Sequence, residues 1–324
     1  MPETSALFAC PHCHGPLDTK SNESALICKA CNAQYPIKGT AWDLRTIIKD
    51  QKHHWDSEEF DRAYAEADDG FEDGTKHALK AGIPELAERY RQSVKGQLVK
   101  DFIANKQAKL LLDLGCGCGW FCFELAELSP DSIFHGCDVS AFRVNVFKEQ
   151  IEKTKMTAKM DAAIANAENL PFPDGAFDIV VMREVLEHLA EPEKALREIN
   201  RILVPGGYLA LTTPTKLMTV FWETVAIVPT LIKRLIKREK LFKKPEIILY
   251  DKPLSKKIIS ETAKATGFQI TLWKRTVFLP HESYLQFIPM PIIHLMIKAA
   301  HIINKLPFLH CWGMHHVIFL RKPE

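Results

Sequence analysis

Between Lys109 and Thr212, short apolar runs alternate with stretches whose apolar residues recur every three or four positions. Lys109–Leu114 (KLLLDL), Ile133–Cys137, Phe177–Met182 and Tyr208–Thr212 predict strands. Trp120–Leu128, Arg143–Lys153 and Pro192–Leu203 predict helices, the last stopped by Pro205-Gly206-Gly207. Apolar strands separated by helices predict an α/β fold, a Rossmann-like sheet with helices on both faces. The pattern resumes with a helix over Leu254–Thr266, a strand over Phe268–Thr276 and a last strand over His316–Leu320, so one domain is expected from residue 108 to 324. Two apolar insertions interrupt it, at residues 215–250 and 280–312.

The chain before residue 108 reads differently. Residues 46–107 are acidic and helical in character: Asp56, Glu58, Glu59, Asp61, Glu66, Asp68 and Asp69 crowd the first half, and Gly70, Gly74, Gly82 and Pro84 predict two or three short helices. Residues 1–45 carry Cys10-Pro-His-Cys13, a spacer of fourteen residues, then Cys28-Lys-Ala-Cys31. Two CxxC turns offer the four thiolates of a closed tetrahedral zinc site. So short a segment cannot make a core alone, so structural Zn2+ would also supply its folding energy, forming a small zinc ribbon. A redox pair is the competing reading, but no βαβ pattern follows either CxxC. His12 and His14 beside the first knuckle read as exposed spacers.

Composition narrows the class. The chain has 324 residues, 47% of them hydrophobic, and 42 Lys+Arg against 40 Asp+Glu give a net charge of +2, which excludes a disordered chain or a disulfide scaffold. Near-neutral charge argues against a surface built throughout for nucleic acid, without excluding a local basic patch. The opening MPETSALFACPHC has neither the basic nor the apolar region of a secretory signal. The best candidate for a membrane span, Leu217–Ile232, contains Glu223 and Pro229. A cytoplasmic protein is expected, peripheral at the inner face of a membrane if the insertions reach one.

Chemistry concentrates after the first strand of the α/β domain. Asp113-Leu-Gly115-Cys116-Gly117-Cys-Gly119-Trp120 is a glycine-rich turn, and Asp138 ends the next strand. Glycines there let backbone approach a ligand, and a carboxylate at that strand tip suits a ribose diol. A dinucleotide fingerprint would need glycine where Trp120 stands, so the pyrophosphate-clamping form is disfavoured. Further on, Asn166-Ala-Glu-Asn-Leu-Pro-Phe-Pro-Asp174 precedes the strand FDIVVM, which runs into Arg183-Glu-Val-Leu-Glu-His-Leu189.

Together, DLGCGCG, CDVS, NAENLPFPDGAFDIVV, LEHL and LVPGGYLALTTP resemble the S-adenosylmethionine-dependent class I methyltransferases, within them the group that includes methyltransferases of quinone precursors. The resemblance covers about residues 85 to 276. It implies that Asp113 and the loop Gly115, Cys116, Gly117 and Gly119 hold the methionine part of the cofactor, with Arg183 in the same set. Asp138 would take the ribose, Val139 would pack on adenine, and Asn166, Ala167 and Glu168 would line the adenine edge. The family usually has Asp at position 166, and Asn can still accept through its amide oxygen. His188 and Glu184 are the candidate catalytic residues, since a protonated acceptor needs a general base. A cap or backbone contact is the structural alternative for His188. Glu184, Glu187 and His188 also match an ExxEH pattern that some quinone-precursor O-methyltransferases use for a divalent metal.

The insertions bear on the acceptor. The first ends in a run containing Lys233, Arg234, Lys237, Arg238, Lys240, Lys243 and Lys244, and apolar surface beside such charge suits an anionic membrane. In the second, Ile292, Ile293, Leu295, Met296 and Ile297 share a helical pattern with His294, Lys298, His301 and Lys305. This amphipathic helix would either meet a membrane or pack as a cap. Either way a hydrophobic small-molecule or lipid-like acceptor is expected. The ribbon points elsewhere, since Cys10 to Trp42 resembles the small zinc-binding partner of tRNA and rRNA methyltransferases, implying RNA as the alternative acceptor. A non-catalytic cofactor-binding scaffold is the third reading.

Overall fold

The computed structural model describes residues 7–19, 25–46, 61, 84–221, 253–279, 285, 288–306 and 312–324. The basic run 233–244 and most of the acidic segment therefore lie outside the described residues. The breaks expected at Gly70, Gly74 and Gly82 lie outside the described residues, and after Pro84 the chain forms one 20-residue helix, α1 (Glu85–Ala104), which runs through Gly96.

The α/β domain follows as β5 (Leu110–Leu114), α2 (Trp120–Leu128), β6 (Ile133–Asp138), α3 (Ala141–Lys153), β7 (Met160–Ile164), β8 (Phe177–Arg183), α4 (Pro192–Ile202) and β9 (Leu203–Pro214). It ends with α5 (Lys256–Ala265), β10 (Gln269–Thr276), α6 (Met290–Ile303) and β11 (His315–Arg321). The seven strands form one sheet in the order β10-β11-β9-β8-β5-β6-β7. β5 to β9 are parallel, whereas β11 lies antiparallel between β9 and β10. Strand residues alternate between two cores, as a two-residue period requires. Leu112, Val180 and Ile318 pack with Ile199 of α4 and Ile259 of α5 on one face. Leu111, Val181 and Phe319 pack with Ile103 of α1, Phe121 of α2 and Phe147 of α3 on the other.

The predicted α/β sheet with helices on both faces is therefore present, and Trp120–Leu128 is a helix with the predicted bounds. One strand escaped the sequence reading. Met160–Ile164 (MDAAI) is short and alanine-rich, but all five residues are buried and pair in parallel with β6.

The N-terminal module explains why this strand can be buried although it ends the sheet. β1 (Leu17–Thr19), β2 (Ala25–Cys28), β3 (Gln34–Lys38) and β4 (Ala41–Trp42) form an antiparallel sheet. Immediately after β4 the chain runs along β7: Asp43 bridges Ile164 in parallel and the Leu44 amide donates to the Ile164 carbonyl at 2.8 Å. Phe8 inserts beside His135, Phe172 and Phe177, and the Ala9 amide donates to the Pro171 carbonyl at 2.9 Å. The ribbon therefore belongs to the same hydrophobic core as the sheet.

Its four cysteines converge, with all four sulfurs within 4.8 Å of one another, Cys10 and Cys31 at 3.7 Å and Cys13 and Cys28 at 3.4 Å. A tetrahedral zinc ion with Zn–S near 2.3 Å sets sulfurs about 3.8 Å apart, so the donor set fits that metal. The Tyr35 hydroxyl lies 3.1 Å from Cys10 Sγ and would donate to a thiolate there.

Metal removal should therefore disturb the whole domain. Chelation, or Cys28→Ser, should expose Phe8, Leu44 and the β7 edge together and lower the Tm by about 5 °C or more, the scale of a few kcal/mol of lost burial. Differential scanning calorimetry with metal analysis checks this, and an unchanged main transition after metal loss would contradict it.

Two buried histidines away from the glycine loop contribute to the acid limit. Burial among Phe8, Phe172 and Phe177 pushes His135 down to about 4. Burial and neighbouring Arg275 push His316 down to about 3, and its Nδ1 accepts from Trp273 Nε1 at 2.9 Å, which requires the neutral ring. Both folded values lie below the unfolded value of about 6.5. The stability they contribute is complete above that pH and is lost as pH falls from about 6.5 to the folded values of about 4 and 3, each at up to about 1.4 kcal/mol per pH unit. Urea titrations between these limits should show a stability loss that His135→Leu makes shallower.

Candidate cofactor and acceptor site

The site forms at the carboxyl ends of β5, β6, β7, β8 and β9, where loops emerge from parallel strands. After β5 the chain must reverse sharply into α2. Gly115, Gly117 and Gly119 do so with φ of 77°, 53° and 78°, and a Cβ at Gly119 would overlap the Phe147 ring. The Gly115 and Cys116 amides donate to the Cys137 carbonyl at 2.7 and 3.1 Å, tying the loop to β6. α2 has no side-chain cap, which leaves its first N–H groups to a ligand or water.

Asp138 at the tip of β6 is held by backbone. Its Oδ2 accepts from the Gly117 amide and its Oδ1 from the Ser140 amide, both at 2.9 Å. Carboxylate lone pairs remain for a diol. Ser140 caps α3 by accepting from the Arg143 amide at 3.2 Å, while its hydroxyl donates to Asp61 at 2.6 Å.

Asp113 is buried at the end of β5, and that burial raises its carboxyl to about 6 although nearby Arg183 pulls the other way. Arg183 stacks on the Phe121 ring at 3.9 Å and donates from Nη2 to Gln92 of α1 at 3.3 Å. Its Nε is a buried donor without a hydrogen-bond partner among the described residues. The same holds for Glu168 Oε2, whose other oxygen accepts from the Glu191 amide at 2.9 Å. Asn166 Oδ1 accepts from the Glu168 amide at 2.9 Å, and its second lone pair is what an adenine amino group would use.

The strap that follows the ribbon reaches both loops of this side. Arg45, paired with Asp43 at 2.5 and 2.8 Å, donates to the Val139 carbonyl at 3.2 Å. Asn169 donates to Thr46 Oγ1 at 3.0 Å. The loop after β6 and the loop after β7 are thus fastened by residues 45 and 46.

On the opposite side, after β8, Glu184 adopts φ of 53°, a conformation that costs a non-glycine residue energy and collects at functional positions. Its Oε2 lies 3.2 Å from Lys95 Nζ of α1 and 3.0 Å from His315 Nε2 of β11, and its Oε1 accepts from Thr212 at 2.8 Å. Burial alone would raise this carboxyl, but Lys95 and the hydrogen bonds hold it well below the usual range. Burial lowers His315 to about 4, so its ring is neutral and Nε2 donates to Glu184. Glu187 is buried and accepts from Thr213 at 3.0 Å. Burial and the Glu184 charge raise it to about 8, so it keeps its proton near neutral pH.

The residues expected to bind cofactor therefore gather around the glycine loop and the ends of β6, β7 and β8, while Glu184 and His188 stand after β8. Glu184 turns to Lys95 and His315 and Glu187 to Thr213. Among the described residues only Cys10, Cys13, Cys28 and Cys31 form a group arranged for a metal ion. Lys95, His315, Gln92 and Arg45 were not found from the sequence. They reach the site from elements 89 or more positions away along the chain, and no local motif marks them.

Residues 112–211 match the family described as methyltransferase domain, and residues 2–39 match the family described as Trm112p-like protein. The demethylmenaquinone methyltransferase of Thermus thermophilus is 35% identical over 111 residues, 34% of this chain and 50% of that protein. The tRNA U34 carboxymethyltransferase of Nautilia profundicola is 34% identical over 126 residues, 38% of this chain and 40% of that one. The ajmaline N-methyltransferase of Rauvolfia serpentina is 30% identical over 107 residues, 33% and 36% of the two chains. The chain thus spans about a third to a half of the length of these relatives. A solved complex of the Haloferax volcanii Trm112 methyltransferase activator with a methyltransferase superposes with a TM-score of 0.47 at 16% identity, covering 74% of this chain and 95% of that one. The chain therefore carries a methyltransferase domain at residues 112–211, with a Trm112p-like module ahead of it at residues 2–39.

Proposed function

We propose that the protein is an S-adenosylmethionine-dependent methyltransferase acting on a hydrophobic small-molecule or lipid-like acceptor at a membrane surface, with structural zinc in its ribbon. The observation that carries the reading is the cradle made by the left-handed glycines and Asp138, flanked by two buried polar atoms that await a partner, Arg183 Nε and Glu168 Oε2. These groups fit the cofactor: Asp113 would accept from its ammonium group, Arg183 would meet its carboxylate, Asp138 its ribose, and Asn166, Ala167 and Glu168 its adenine, beside Val139. When bound, S-adenosylmethionine supplies a methyl group already activated on a sulfonium.

The chain's own work is then to align the acceptor and manage its proton. Glu184, fixed by Lys95, His315 and Thr212, is a placed charge that orients. His188 and protonated Glu187, beside it in sequence, are the groups left to move a proton.

Two features support the hydrophobic acceptor. Exposed Leu217 and Trp312 stand where β9 ends and β11 begins, the end of the sheet that holds Glu184, and several relatives carry quinone-related names. No helix among the described residues is long and apolar enough to cross a membrane, in keeping with peripheral contact. RNA is the second reading, favoured by the Trm112p-like match and the tRNA-modifying relative.

Isothermal titration with S-adenosylmethionine and its demethylated product tests the first step. Micromolar binding is expected, with about tenfold or greater loss in Asp138→Ala, the effect of a charged acceptor leaving two ligand hydroxyls unpaired. Binding should also weaken as pH falls through about 6, because Asp113 must be ionised to hold an ammonium group. Absence of binding in the wild-type protein would sink the methyltransferase reading.

A further inference from the structure

Among the described residues, α6 is anchored on one side. Ile293, Ile297 and Ala300 pack on Ala87 and Tyr90 of α1 and on Leu279 and Leu285. Asn304, just past its end, donates to the Tyr90 hydroxyl at 3.0 Å and accepts from Thr276 at 2.9 Å. At 100° per residue, Ile292, Leu295, Ala299 and Ile302 fall on one outward stripe. Leu295 is 67% exposed and Ile302 62%. His294, Lys298, His301 and Lys305 form the neighbouring stripe, and from residue 283 to 323 the sequence holds no Asp or Glu.

Two more exposed apolar side chains stand at the end of the sheet. Leu217, 68% exposed, opens the helical stretch 216–221 after β9, and Trp312, 62% exposed, precedes β11. Thr215 ties these two segments together: its amide donates to the Met314 carbonyl at 2.8 Å and its hydroxyl to the Gly313 carbonyl at 3.2 Å. Met218, Val277 and Met314 pack beneath. β9 ends and β11 begins here, the same end of the sheet at which Thr212 and His315 bind Glu184.

We propose that α6, Leu217 and Trp312 form a docking face for an anionic phospholipid bilayer, with α6 lying in the plane of the interface and the acceptor side of the site turned toward the lipid. The proposal rests on the hydrophobic-acceptor reading above. Charge and polarity select the occupant. An exposed apolar stripe bordered by Lys and His, on a stretch of chain that holds no acid from residue 283 to 323, matches acyl chains beneath anionic headgroups, and Trp is suited to that boundary. A nucleic acid would call for stacking aromatics along the basic stripe, and α6 has none.

Sedimentation with vesicles of phosphatidylcholine alone, and of equimolar phosphatidylcholine and phosphatidylglycerol, tests the face on the full chain. Binding is expected to the anionic vesicles, weakened by salt, and reduced at least about tenfold in Leu295→Glu, the worth of one buried leucine or more. Trp312 fluorescence, isolated by comparison with Trp312→Phe, should shift to the blue on binding. Titration of the demethylated cofactor into Leu295→Glu should match wild type, which separates failure of the face from failure of the enzyme reading. No binding to anionic vesicles, or equal binding by Leu295→Glu, would overturn the proposal. So would a dimer in solution that Leu295→Glu turns into a monomer, because a second copy would then cover the face.

Discussion

The arrangement depends on how one edge of the sheet is closed. β7 is the last strand in its direction, all five of its residues are buried, and an open parallel edge would present unpaired amides and carbonyls. The Ile164 carbonyl is met by the Leu44 amide, from the segment that leaves the ribbon. That segment has a fixed path only if β1 to β4 are folded, and a module so small relies on its four converging thiolates to fold. Thiolate cluster, ribbon, strap and sheet edge are therefore links of one chain.

The same strap reaches the cofactor side. Arg45 holds the Val139 carbonyl and Thr46 holds Asn169, so the two loops that follow β6 and β7 share a clamp outside the α/β domain. Asp61 adds a third hold by accepting from both Ser140 and the Phe142 amide at the start of α3. The opposite side is fastened from elsewhere, by Lys95 of α1 and His315 of β11 on Glu184. α1 touches both halves, since Gln92 accepts from Arg183 and Lys95 pairs with Glu184 one position later in β8's exit.

What the sequence revealed follows from the range of the forces involved. The glycine loop was legible because the reversal after β5 permits almost no side chain at Gly119, and Asp138 because a strand tip one βα unit later is fixed by topology. The amphipathic helix of the second insertion was legible from its period, as were β10 and β11 from their apolar runs. β7 was not, because its Ala-rich MDAAI lacks β-branched residues apart from Ile164 and is a strand through its pairing with β6. The strap was hidden for a similar reason: Asp43-Leu-Arg45-Thr46 carries no motif, and its role exists only once Ile164 and Val139 are in place. The acceptor-side cluster joins positions 95, 184, 212 and 315, a combination no local window contains.

The two readings of substrate draw on opposite ends of the molecule. The ribbon argues for RNA by likeness to modules that accompany RNA-modifying enzymes, but here its strands β3 and β4 lead directly into the β7 edge and its apolar residues join the sheet's core. A module occupied in this way has a structural task sufficient to explain its presence without RNA. The acceptor side, by contrast, carries Leu217, Leu295, Ile302 and Trp312 in water, at a cost that burial against a bilayer would recover. A structural role thus accounts for the ribbon, whereas among the described residues nothing covers this exposed rim, which is the cost that the proposed lipid contact would remove.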